Sequence, residues 1–148
     1  MTLKKILVEY ANSSIYSSNW RSETGEFILA SNDAIFRVSS QFTAAQPYVT
    51  GYMGSVFGNW LPPIQPKDKL ECWTTGSYGT TRRWVLDPRM DPLDPLTPED
   101  LIIPGSTKIS LRSLIGPDVN HLWAIGYQRE RSDGDKEIFE IKLFRYCP

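Results

Sequence analysis

Alternation rather than helical period organises this chain. In its 148 residues no stretch longer than ten keeps apolar positions at helical spacing, whereas apolar and polar residues exchange every second position in segment after segment. The clearest pair is "HLWAIGYQRER" and "KEIFEIKLFRY", which flank "SDGD". A glycine-containing turn between two alternating runs is a strong hairpin signal. In the closing run Phe139, Ile141 and Leu143 share one face, and Glu140, Lys142 and Phe144 share the other.

The same reading applies upstream. "KILVEY" sets Ile6, Val8 and Tyr10 on one face. "EFILAS" and "AIFRVS" are two short strands joined by "SND". "YVTGYMGSVF" carries Gly51 and Gly54, which predicts a bulge or a close backbone approach. "KLECWTT" alternates Leu70, Cys72 and Thr74 against Glu71 and Trp73. "TRRWVL" sets Arg82, Trp84 and Leu86 against Arg83 and Val85. "TKISLRSLI" turns Ile109, Leu111 and Ile115 one way and Lys108 and Arg112 the other. About eight or nine strands at intervals of roughly 8–14 residues predict an all-β fold: one antiparallel β-sandwich domain over residues 1–148, or a closed β-barrel.

A proline-rich loop, residues 87–106, interrupts the pattern. Asp-Pro occurs at 87–88, 91–92 and 94–95, and Thr97-Pro98 follows. Proline fixes its own φ and turns the preceding residue away from helix, so the run is no central strand. "TPEDL" could open one helical turn, with Thr97 as cap. The aspartates read as turn chemistry. A calcium loop needs a glycine and a distal bidentate glutamate at set spacing, which the run lacks.

Net charge is −1, with six basic and six acidic groups in residues 1–74 and ten and eleven in residues 75–148. Such balance argues against a nucleic-acid partner held by phosphate contacts. No run of 18 apolar residues exists, so no spanning helix is expected. The start lacks a secretory apolar core, which predicts a cytoplasmic chain as synthesised, with release outside the cell left open. Cys72 and Cys147 are the only cysteines and are expected to be reduced, Cys72 within the core. With one histidine, His121, there are too few ligands for a zinc site. Phosphate-binding, dinucleotide and nucleophile-elbow motifs are missing too. The expectation is therefore no catalytic residue, metal or cofactor, although a small barrel enzyme that works by cavity shape stays compatible with the sequence.

What remains is aromatic and basic. "GNWLPPIQP" places Trp60 among prolines, which predicts a surface connection whose apolar side chains either fold back onto the core and plug one end of the sandwich or present an exposed tip. If "KLECWTT" pairs with "TRRWVL", then "GSYG" is the turn, Tyr78 projects from its tip, and Arg82 and Arg83 point to opposite faces. Trp84, beside Leu86, reads as core. Trp60, Trp73, Tyr78, Arg82 and Arg83 are thus the candidate ligand-binding residues. Rings with polar tips and guanidinium groups suit a lipid headgroup region or a sugar.

"IQPKDKL", "GTTRRWVLDP", an early strand ending "YANSS" and a closing "LWAIGYQ…DG…FEIKLF" together resemble the aegerolysins, small acidic β-sandwich proteins. Actinoporins and fungal lectins share the same general look. The aegerolysin resemblance implies binding to particular membrane lipids, and a place in a pore-forming or insecticidal toxin beside a larger protein partner. The expected function is therefore non-enzymatic recognition of membrane lipids. Carbohydrate binding and a structural or assembly subunit are the alternatives.

Overall fold

The computed structural model describes residue 15 and residues 17–39, 41, 44–51, 53–94, 96–103, 105–134 and 136–146. The strand expected at "KILVEY" and the second cysteine, Cys147, lie outside them. Among the described residues eleven strands form three antiparallel sheets. The first sheet is β1 (Ser17–Arg21), β2 (Glu26–Ala30), β3 (Ala34–Val38) and β4 (Gln46–Thr50), in that order. The middle sheet is β5 (Gly58–Trp60), β6 (Leu70–Thr75), β7 (Thr80–Leu86) and β8 (Glu99–Ile102). The third has the order β11 (Lys136–Tyr146), β10 (Leu122–Asp133), β9 (Ser110–Ile115). The architecture is of β-sandwich type with a third layer added, and the described residues form no closed barrel.

The middle sheet explains the layering. On one of its faces Leu70, Cys72, Trp84 and Leu86 pack with Ile28, Ile35, Tyr48 and Val49 of the first sheet. On the other, Trp60 and Trp73 pack with Leu111, Leu114, Leu122 and Ala124 of the third. All six residues of β6 are therefore buried, polar ones included. A strand covered on both sides has to pair its polar side chains within the protein, and in β6 only Thr75 Oγ1 is left buried without a partner among the described residues. Trp84 Nε1 donates to Thr74 Oγ1 at 2.9 Å on one face, and Trp73 Nε1 donates to Glu71 Oε1 at 2.9 Å on the other.

The hairpin of β6 and β7 is closed by a short 3-10 turn over Ser77–Gly79, as "GSYG" predicts. This turn also ties the layers together: Leu111 N donates to Gly76 O at 3.0 Å and Gly79 N donates to Ile109 O at 2.8 Å. Backbone approaches that close leave no room for a side chain. A Cβ on Gly76 would stand 1.9 Å from Ser55 O, and one on Gly79 would stand 2.3 Å from Ser106 Oγ.

Three expectations are corrected. Trp60 belongs to a strand, β5, paired with β6 in the register Trp60↔Trp73, and not to a surface connection; the prolines follow that strand instead of breaking it. "TPEDL" opens no helical turn, because its end joins β7 as β8. The ladder there sets Arg82 opposite Asp100 and Arg83 opposite Glu99, and two opposite-charge cross-strand pairs outweigh the local helix signal. In β9 the register with β10 shifts between Ile125 and Gly126, leaving Arg112 as the extra residue. Past this bulge the faces exchange. Leu114 turns inward with Leu111, and Ile115 turns outward, away from Ile109 and Leu111.

The aspartates of the proline-rich run do make turns. Asp87 Oδ1 accepts Arg89 N and Asp91 Oδ1 accepts Leu93 N, both at 2.9 Å.

Candidate functional site

The middle sheet collects most of the candidate residues. Across its face toward the third sheet, the register lines up Trp60, Trp73, Arg83 and Glu99 on successive strands. Trp60 and Trp73 are each only 6% exposed, and their rings meet at 6.5 Å in a tilted arrangement. Of the two outcomes open to Trp60, an exposed tip and a ring folded onto the core, the second is found: burial between two layers claims both rings. Glu71 lies two residues along the same face, with its side chain only 9% exposed. Arg83 answers it with a fork. Nε donates to Glu71 Oε1 at 2.8 Å and Nη2 to Oε2 at 3.2 Å, while Nη1 reaches Glu99 Oε2 at 3.0 Å. The hydrogen bonds to Glu71, and then to Glu99, hold the Arg83 guanidinium even more firmly protonated than usual. Paired in this way the Glu71 charge can remain buried.

Arg83 and Trp73 line a cavity of about 420 Å³, closed on the other side by Pro117, Asp118 and Tyr146. Each guanidinium nitrogen of Arg83 already meets a carboxylate oxygen, so the cavity presents it as a wall more than as an anion clamp. Beyond the rim, His121 Nδ1 sits 2.8 Å from Asp118 Oδ1. The hydrogen bond from His121, and then one from the backbone N–H of Asn120, keep the Asp118 carboxyl below its ordinary pKa.

Arg82 faces the other way, as the alternation predicts. Its Nε donates to Asp100 Oδ1 at 2.9 Å and its Nη1 reaches Met53 O. Tyr78 projects from the hairpin tip, 81% exposed, in a left-handed backbone conformation with φ of 58°. The structure thus brings Trp60, Trp73 and Arg83 into one row. Tyr78 and Arg82 instead line a smaller cavity of about 160 Å³ near the hairpin tip, with Asp100 and Thr107. Trp60 and Tyr78 form no joint exposed end.

The most unusual surface lies elsewhere. Burial alternates over Leu122–Gly126 of β10 and over Phe139–Tyr146 of β11, and large apolar residues hold outward positions there: Trp123, Ile125, Phe139, Ile141 and Leu143, joined by Ile115 from β9. Ile141 is 74% exposed and Leu143 64%. The register makes this one surface, with Ile115↔Trp123↔Arg145 in one row, Ile125↔Leu143 in the next and Tyr127↔Ile141 after it. Tyr127 meets Phe139 edge-on at 5.4 Å. Two cations stand on it. Arg145 lies 5.7 Å over the Trp123 ring, and Arg112, at the bulge, lies 4.0 Å over Phe57 and 4.8 Å over Tyr127. The six residues together expose on the order of 600 Å², at the upper end of the roughly 300–600 Å² of the largest patch on an ordinary monomer.

Sequence reasoning missed this face, although a signal is present. The closing run puts three large apolar residues on one side and still keeps Phe144 and Tyr146 on the other. A strand apolar on both sides is one that both sides ask to have covered. Neither the known protein families, nor the curated proteins, nor the solved structures yield a match for this chain.

Proposed function

We propose that the chain is a non-enzymatic binding protein that docks on anionic lipid surfaces through the outer face of its third sheet. One observation carries the reading: six exposed large apolar side chains share this face with Arg112 and Arg145, and no described side chain on it is acidic. Apolar side chains reach into the boundary between headgroups and acyl chains, aromatic rings suit that boundary, and arginines meet lipid phosphates. Withdrawing half of the exposed apolar area from water would contribute on the order of 7 kcal/mol at ~25 cal/mol per Å². Each arginine would add about 1 kcal/mol on an anionic leaflet. A second copy of the same face would instead bring arginines toward arginines, so the charge pattern favours a lipid surface as its cover. The aegerolysin-like stretches imply the same class of ligand, though by other residues.

Liposome flotation tests the reading. The chain should float with vesicles of phosphatidylcholine and phosphatidylserine, and more weakly with phosphatidylcholine alone. The double variant Ile141→Glu, Leu143→Glu changes two exposed side chains and should abolish flotation. Undiminished flotation of that variant would remove this face from consideration.

A further inference from the structure

The third sheet has a second open feature, its edge. Among the described residues β11 pairs with β10 on one side only and ends the sheet. It is eleven residues long, and from Phe139 to Tyr146 its register with β10 runs without interruption. It holds no proline. A long regular edge presents a row of backbone donors and acceptors to another strand, and proteins usually blunt such edges.

We propose that β11 pairs antiparallel with β11 of a second copy of this chain, about a two-fold axis through Ile141. Geometry first limits the choices. Only every second residue of an edge strand turns its N–H and C=O outward, so two identical antiparallel strands must place some residue opposite its own copy. Charge then selects among the few centres. An axis at Ile141 sets Glu140 opposite Lys142 and Phe139 opposite Leu143, each of them twice. Centring on Glu140 or on Lys142 puts that charge against itself. Centring on Phe139 or on Leu143 brings Glu140 and Lys142 opposite no charge of the other sign. One register is complementary throughout, and its neighbours are repulsive or indifferent.

In the single chain Glu140 and Lys142 already pair along the strand on the face opposite the apolar one. In the dimer the same two groups would exchange partners across the axis. The result is a continuous six-stranded sheet whose two outer apolar faces lie side by side. This interface uses the edge and leaves the apolar face uncovered, so it stands or falls separately from lipid binding.

Sedimentation velocity of the full chain without lipid, over a concentration series, tests it. The native chain should dimerise. Glu140→Lys and Lys142→Glu each turn two attractive pairs into two repulsive ones, and each should weaken dimerisation about thirtyfold. Both positions are partly exposed, so the fold should tolerate the changes. An equimolar mixture of the two variants restores every pair and should form a heterodimer, which also shows that both are folded. A native chain that stays monomeric throughout would overturn the proposal. So would charge variants that dimerise as well as the native chain, because the contact would then lie elsewhere.

Discussion

At the scale of single residues, parity is what the sequence shows well. That Arg82 and Arg83 point to opposite faces, that Trp84 is core and that Tyr78 caps the hairpin all follow from counting by twos. Parity says nothing of how many sides of a strand are covered, and this is why Trp60 and Trp73 read as candidates for exposure. Cys72 shows the depth of the middle sheet. Burial, above all, pushes its thiol from 9.0 up to about 12. The sign of the consequence is fixed. Between those values the folded chain keeps a proton that the unfolded chain has lost, so the contribution is whole below pH 9 and is lost as pH rises toward 12. Urea melts of native chain and Cys72→Ala should therefore converge as pH climbs past 9, the native chain losing its lead. A gap between the two that stays constant with pH would contradict the burial of this thiol. In a Cys147→Ser background Cys72 should also resist iodoacetamide until the protein unfolds.

At the scale of elements, the β2–β3 and β10–β11 hairpins and the β6–β7 hairpin are legible because each has its turn signal between two alternating runs. β1 has no counterpart among the strands expected from sequence, and three further misses share one cause. β5 is three residues long, β8 begins beside a proline, and β9 is bulged, so all three take their conformation from a neighbouring strand and not from their own pattern. Gly76 tests how tightly elements are joined. Its φ of −157° is ordinary extended backbone, so the constraint is space alone. An added methyl would meet the Ser55 carbonyl oxygen at 1.9 Å, and that atom is backbone with little room to retreat. Gly76→Ala should cost about 3 kcal/mol in urea unfolding, as overpacking of a rigid site does. A cost below about 0.5 kcal/mol, the range of an ordinary surface change, would mean that the hairpin tip does not approach the Ser55 backbone as described.

At the scale of the whole molecule, the order of layers decides which face of the third sheet looks inward, and hydrophobicity would choose wrongly. The inward residues Ala124 and Gly126 are small, and the outward Trp123 and Ile125 are large. The inner side has no space for more. Trp60 and Trp73 already fill that layer with Ala124, and a Cβ on Gly126 would stand 2.5 Å from Ser110 O. Bulk is displaced outward by packing, and the surface keeps an apolar face that folding itself does not use. This has a measurable consequence. Substituting Ile125, Ile141 and Leu143 together by threonine should leave unfolding free energy within about 0.5 kcal/mol per site, because exposed positions contribute little. Leu111→Ala, on the inner side of the same sheet, should cost about 2–5 kcal/mol. The dye ANS, which reports accessible apolar surface, should bind the native fold and lose most of its signal with the triple variant. If the triple variant were instead destabilised as Leu111→Ala is, the outer face would be covered in the folded protein, and the lipid surface would have nothing to meet.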